Sequence, residues 1–226
     1  VILERQVIIT ADGSSTIYLP EWDEPYHSKH GAIQEAYHVF IKHGLNYLCE
    51  QDYNQISVLE IGFGTGLNAF ITFLEAEKLN ISIDYYGVEA YPVSAEDIVK
   101  MNYVTELKVE DKDLFFKSMH QVSWEETHNI IPHFLLTKQN KLFSDINDQN
   151  KFNIIYFDAF GARVQPELWT EAIFQKMHEA LKPNGVLVTY SAKGSVRRAM
   201  QAVGFKVEKL PGPPGKREML RATKRL

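Results

Sequence analysis

The run Val58-Leu59-Glu60-Ile61-Gly62-Phe63-Gly64-Thr65-Gly66-Leu67 sets three glycines at alternate positions between an apolar stretch and a helical one. Glycine admits backbone angles closed to other residues and lets a ligand lie against the main chain, while free amides at a helix start donate hydrogen bonds. Glu60, Gly62, Gly64 and Gly66 are therefore candidates for holding a nucleotide-like ligand. A dinucleotide fingerprint puts its third glycine after two intervening residues, a position that Leu67 occupies here. The spacing favours S-adenosylmethionine over NAD; a tight turn serving structure alone is the plain alternative.

Glu89 closes the next apolar stretch, 23 residues beyond Gly66, where doubly wound folds set an acid against ribose hydroxyls. Asp158 follows a third apolar stretch and should face the same crevice, because ligands bind outside the carboxyl ends of the strands. Asp158-Ala159-Phe160-Gly161 would suit methyl transfer to an amine. The nitrogen lone pair must arrive deprotonated and in line with the carbon-sulfur bond. A carboxylate can orient an N–H and offset the positive charge that develops on nitrogen. The same charge favours the protonated, unreactive amine, so orientation rather than general-base catalysis is the expected role.

Tyr26, Ser28, Gly31 and Glu35 precede this unit and fit either a lid over the cofactor or ordinary capping chemistry. For adenine, Asp145 is one candidate and the polar pair Gln139-Asn140 another. The eight histidines show no ligand spacing and Cys49 is the single cysteine, so no metal dependence is expected. Ser191 and Cys49 lack the context of an activated nucleophile.

These residues need a scaffold, and 226 residues with 45% hydrophobic content suffice for one well-buried α/β domain. Gln6 to Leu19 alternates around Asp12-Gly13, as a β-hairpin does; with the loop that follows it makes an expected appendage over 1–30. Ala32 to Glu50 has helical apolar spacing. Strands are expected at Ser57–Ile61, Ile83–Glu89, Phe134–Thr137, Asn153–Phe157 and Gly185–Ser191, then near Lys206–Leu210 and Glu218–Thr223. Helices are expected at Leu67–Leu79, Ser94–Tyr103, Pro166–Leu181 and Ser195–Val203, with Lys182-Pro183-Asn184-Gly185 as a helix stop. Leu107 to Ile131 has no assigned role. Alternating strands and helices predict an α/β, Rossmann-like sheet with helices on both faces over 31–226.

Net charge is −5, yet Lys193 to Leu226 carries ten Lys or Arg against two Glu. This basic end fits either a phosphate-binding footprint or a solvated surface. No apolar run is long enough to cross a bilayer, and Val1-Ile2-Leu3-Glu4-Arg5 lacks the basic start and long apolar core of a signal peptide. A cytoplasmic location is expected.

Blocks across nearly the whole chain resemble one family: Tyr26-His27-Ser28 with Gly31 and Glu35, EIGFGTGLNAF from Glu60, YFDAF from Tyr156, PELWT from Pro166, TYSAKGSVRRAMQAVGF from Thr189, and the terminal GPPGKREMLRATK. They are similar to the MnmC- or MnmD-type methyltransferases that complete 5-methylaminomethyl-2-thiouridine at the tRNA wobble position. The resemblance implies S-adenosylmethionine as cofactor, 5-aminomethyl-2-thiouridine in tRNA as substrate, and no membrane or metal partner. It makes Arg197, Arg198, Lys216, Arg217 and Arg221 candidates for tRNA phosphates. Phe160 and Trp169 become possible stacking surfaces, with a core role as the alternative. Two departures stand out. Gly161-Ala162-Arg163 replaces the family's usual proline after the aspartate loop. The sequence also stops at Leu226, short of the FAD-dependent domain of the bifunctional relatives, so neither FAD binding nor that first activity is expected.

Overall fold

The computed structural model describes residues 3–51 and 53–225. Val1, Ile2, Asp52 and Leu226 lie outside the described residues, and with them the outer ends of the expected appendage and catalytic unit. Gln6–Ile9 (β1) and Ser15–Leu19 (β2) pair antiparallel as the hairpin expected around Asp12-Gly13. The following segment is more ordered than a loop. A 3₁₀ turn, Pro20–Trp22, leads into Glu24–Pro25 (β3), which adds to β2.

The expected helix over 32–50 forms as Ala32–Ala36 (α1), a π-helical stretch Tyr37–Leu45, and Asn46–Cys49 (α2). Gln55–Ile61 (β4) then runs into Leu67–Leu79 (α3), and Ser82–Val88 (β5) follows. The expected helix over Ser94–Tyr103 is instead two short ones, Ala95–Ile98 (α4) and Tyr103–Glu106 (α5). Between them Asn102 leaves the helix to serve the hairpin: its Oδ1 accepts from Ser15 N–H (2.7 Å) and its Nδ2 donates to Gly13 O (2.9 Å). The unassigned stretch holds Asp113–Gln121 (α6) and an edge strand, Thr127–Ile131 (β6), antiparallel to Phe134–Gln139 (β7).

Phe152–Phe157 (β8) is buried at every position, as a central strand covered on both faces must be. A 3₁₀ turn, Pro166–Trp169, precedes Glu171–Ala180 (α7), so the expected helix starts late. Leu181–Thr189 (β9), Gly194–Ala202 (α8), Phe205–Pro211 (β10) and Glu218–Lys224 (β11) complete the chain. The expected stop at 182–185 lies inside β9, where Asn184 takes a left-handed φ of 63°.

The main sheet has the order β10-β11-β9-β8-β4-β5-β7-β6. β7, β5, β4, β8 and β9 run parallel, and antiparallel strands finish both edges. Period-two alternation divides the core. Val58, Tyr85, Ile154 and Tyr156 pack with the 32–49 helix, α3 and α6 on one face. Leu59, Ile61, Ile155 and Phe157 pack with α7 and α8 on the other. Chain direction across the sheet reverses between β4 and β8, the position at which open α/β sheets bind ligands.

Candidate active site

Strand register creates the site. Ile61 of β4 pairs with Val88 of β5 and with Phe157 of β8, so three strands end at one level and Gly62, Glu89 and Asp158 emerge together. Gly62 and Phe63 N–H donate to Val88 O (3.0 and 3.1 Å), and Asp158 N–H donates to Ile61 O (3.0 Å). Gly62 has φ +90°, and a Cβ there would stand 2.9 Å from Asp158 O. Only glycine allows this approach of two strand ends.

A cavity of 1110 Å³ opens over these ends. Glu60, Gly62, Gly64, Glu89, Tyr26, Asp158 and Phe160, all expected from sequence, line it. Gly66, Ser28, Gly31 and Glu35 do not. Gly66 starts α3 in a left-handed conformation against Met119, where a Cβ would come within 2.7 Å of Met119 Cε. Ser28 N–H donates to Glu35 Oε2 (2.8 Å), and Gly31 packs on Asp12. These residues brace the loop that carries Tyr26 rather than touching the cavity, which is the capping alternative. Glu35 also pairs with Lys216, whose ammonium lies 3.8 Å from the Tyr190 ring centroid; Tyr190 OH donates to Ala159 O (2.8 Å). The chain from Glu35 through Lys216 to Tyr190 thus supports the loop after β8 from below.

The acids are concentrated. Glu60 is 1% exposed; burial raises its carboxyl well above the ordinary range, and Asp158 and Glu89 push the same way, although the Asn68 hydrogen bond opposes them. Burial, then the charge of Glu35, pushes Asp158 up to about 7, with Asn68 and Lys216 pulling it back. Burial also raises Glu89, whose oxygens accept from Gly64 N–H (3.0 Å) and Tyr91 N–H (2.9 Å). With Glu167, four acidic residues line the cavity against Arg5 as the one Lys or Arg among the described lining residues. Such a space favours a cationic ligand, because each like-charge neighbour makes ionisation costlier until a positive group arrives.

Several lining residues carry no sequence signal of their own. Arg5, just before β1, donates to Tyr91 O (2.8 Å) and Pro92 O (3.1 Å). Trp22 sets its ring edge-on to Phe160, 5.5 Å away, and Tyr26 does the same at 5.0 Å. Arg163, which follows Ala162 at the family's proline position, donates to Trp22 O and Asp23 O (3.0 Å each) and pairs with Glu24. Asp145 is exposed and outside the lining; Leu142, Phe143 and Ser144 beside it form that wall. Asn140 Nδ2 holds the carbonyls of Glu89 and Ala90 (2.9 and 3.2 Å).

Trp169, Lys216 and Arg221 are engaged within the protein itself, Trp169 in the core role that was its alternative. Trp169 is 5% exposed, packed edge-on against Phe157, and donates Nε1–H to Phe160 O (2.7 Å); it shapes the loop and presents no free face. Lys216 is committed to Glu35, and Arg221 to Glu208 (3.3 Å) and the Tyr47 ring (3.6 Å). Arg197 and Arg198 line a separate surface cleft of 330 Å³ with Lys209, and Arg217 is exposed. Among the described residues no cluster of His, Cys, Asp and Glu could hold a metal ion, and no helix is long and apolar enough to cross a membrane.

A glycine turn between a parallel strand and a helix, with acids at the ends of β4, β5 and β8, is the architecture of a methyl-transfer site. The chain belongs to the family of S-adenosyl-L-methionine-dependent methyltransferases, whose model matches residues 106–225. It is 28% identical over 222 residues to the tRNA 5-methylaminomethyl-2-thiouridine biosynthesis bifunctional protein MnmC of Leptospira interrogans, covering 94% of this chain and 34% of that protein. It is 28% identical over 235 residues to the protein of the same name from Cupriavidus metallidurans, covering 97% of this chain and 34% of that one. The chain thus spans about a third of these relatives' length. The crystal structure of MNMC2 from Aquifex aeolicus shares the fold, with a TM-score of 0.77 and 22% identity over 99% of this chain and 71% of that one.

The residues present fit S-adenosyl-L-methionine. Among the described residues, Asn68 Oδ1 is buried with no hydrogen-bond partner, and Glu60 Oε2 has only the neighbouring Tyr85 hydroxyl near it; an unpaired buried acceptor costs about 1–3 kcal/mol, which a bound donor relieves. When bound, the cofactor supplies an electrophilic methyl group on a sulfonium. Of the residues lining the cavity, Glu60 would hold the ammonium, Glu89 the ribose hydroxyls, and the backbone at Gly62 and Gly64 would lie along the ligand. Asp158 then faces the remaining space beneath Phe160, Tyr26 and Trp22.

Proposed function

We propose that the protein methylates the exocyclic amine of 5-aminomethyl-2-thiouridine at the tRNA wobble position, giving 5-methylaminomethyl-2-thiouridine. The observation that carries the reading is the acidic cavity at the ends of β4, β5 and β8, in which Asp158 stands beside an aromatic wall. An amine destined for methylation must lose its proton and be held by its N–H groups. Asp158, whose carboxyl burial pushes up to about 7, accepts from the N–H groups of such an amine once it is ionised and so orients the lone pair. Phe160, Tyr26 and Trp22 give a flipped-out pyrimidine an apolar flank.

The names of the two Leptospira and Cupriavidus relatives support tRNA as the carrier of that base. Arg197, Arg198 and Arg217 are the basic candidates left free for phosphates. In this reading Asp158 is the catalytic residue, and Glu60, Gly62, Gly64 and Glu89 bind the cofactor. Residues 31–226 form the catalytic unit, 1–30 an appendage roofing its cavity, and the protein works in the cytoplasm. Labelled S-adenosylmethionine, tRNA from cells lacking the modification, free 5-aminomethyl-2-thiouridine and spermidine make the test. Label confined to tRNA, and recovered in 5-methylaminomethyl-2-thiouridine after digestion, is the expected result. Label on spermidine or on the free nucleoside with none on tRNA would overturn the reading in favour of a small-molecule amine methyltransferase.

A further inference from the structure

The side chain of Asn68, in the first turn of α3, touches both halves of the site. Its Nδ2 donates to Glu60 Oε1 (3.0 Å) and to Asp158 Oδ2 (2.8 Å). Each amide hydrogen is therefore taken by a different carboxylate, one at the end of β4 and one beyond β8. Asn68 is 3% exposed, and its Oδ1 is left buried without a partner, as is Glu60 Oε2 apart from the neighbouring Tyr85 hydroxyl.

Two carboxylates so placed cannot both ionise freely, and they share protons as a pair. An amide between them donates twice, which a hydroxyl cannot, and unlike water it is covalently held in a fixed geometry; nor does it titrate. We propose that Asn68 is a positioning residue that couples the two sites, so that a cation bound at Glu60 causes Asp158 to give up its proton. A positive group at Glu60 Oε2 removes the repulsion that kept the pair protonated. The amide then stabilises both ionised carboxylates at once, one per hydrogen. The acceptor carboxylate would become competent only when the cofactor site is filled.

Other charged and titratable groups face Glu60 or Asp158 and set the background. Glu89 follows β5 and Tyr85 lies within it; Glu35 comes from the 32–49 helix, Lys216 from the β10–β11 loop and Tyr190 from the end of β9. His27 lines the same cavity and is held neutral by burial, pushed down to about 4. Asn68 alone joins Glu60 and Asp158 by direct hydrogen bonds among the described residues.

The coupling is read without tRNA, so its failure is separate from failure of the proposed substrate. S-adenosylhomocysteine, which keeps the amino-acid ammonium and lacks the sulfonium, is titrated into the full chain by calorimetry. Buffers of different ionisation enthalpy, from pH 5.5 to 8.5, give the protons released on binding. The wild type is expected to release protons with a maximum near pH 7, and Asp158→Asn to lose most of that release. A lost hydrogen bond to an ionised group moves a carboxylate by about one to two pH units. Asn68→Ala should therefore shift the maximum up by that amount and weaken binding at pH 7 by about tenfold. Asn68→Ser, whose hydroxyl can serve one carboxylate, should shift it by about half as much and covers the case in which the alanine variant fails to fold. An unshifted maximum in a folded Asn68 variant, or undiminished release in Asp158→Asn, would overturn the coupling.

Discussion

Replacing Asp158 by asparagine should make the ligand-free protein more stable while abolishing methyl transfer. Burial first and Glu35 second raise this carboxyl from 3.8 to about 7. Roughly three pH units at about 1.36 kcal/mol each set a ceiling near 4 kcal/mol on the cost of holding it ionised. The folded value lies above the unfolded one. The protonated side chain therefore favours the fold fully below about pH 4, and that contribution is lost as pH rises through about 7. Asp158→Asn removes the charge, keeps the shape, and leaves an oxygen to accept from Asn68. Because unfolded chains keep residual structure and the site relaxes, about half the ceiling is expected, or about 2 kcal/mol at pH 8. For a chain of 226 residues that is a rise in melting temperature of about 4–8 °C. Thermal melts of both ligand-free proteins at pH 8 and pH 5 make the comparison, and the gap should narrow toward acid. Equal stability at pH 8, or a gap that widens on acidification, would refute the electrostatic reasoning at Asp158.

Gly62→Ala should cut S-adenosylhomocysteine affinity by more than about tenfold, since a Cβ at φ +90° meets Asp158 O at 2.9 Å and a left-handed angle adds about 1–2 kcal/mol of strain. Calorimetry reads this directly, and unchanged affinity would argue against the cofactor site. Charge reversal at Arg197 and Arg198 together should weaken tRNA binding by at least about tenfold and reduce the slope of log K against log salt by about two, with cofactor affinity intact; an unaltered salt slope would remove that cleft from the tRNA footprint. Arg163→Ala frees the loop at Trp22–Glu24 and should raise KM for tRNA about three- to tenfold with S-adenosylhomocysteine binding unchanged, whereas an effect on cofactor affinity alone would contradict its placement on the acceptor side.

The parallel strands were readable because β4 and β8 are short apolar runs, and α3 because Leu67 to Leu79 follows its glycine turn directly. The three carboxylates were readable too, since each ends such a run. What sequence could not supply were features made by distant contacts. The helix expected through Tyr103 breaks where Asn102 turns to the hairpin 87 residues earlier, and β3 and β6 are too short or too exposed to carry a strand pattern. Asn68 reads as one more residue of an amphipathic helix until Asp158, 90 positions away, arrives against it. The basic C-terminal end was visible as composition. Its division into committed side chains, Lys216 and Arg221, and free ones such as Arg198 depends on Glu35, Glu208 and Tyr47, which composition does not locate.

The central claim is that Asp158 directs methyl transfer to the amine of the wobble base. An anticodon stem-loop bearing 5-aminomethyl-2-thiouridine, incubated with labelled S-adenosylmethionine in single turnover, tests it most directly when wild type and Asp158→Ala are compared at equal cofactor occupancy. The account predicts 5-methylaminomethyl-2-thiouridine from the wild type and a rate lower by at least about a hundredfold from the variant. Transfer by both proteins at the same rate, or no transfer by the wild type, would contradict it.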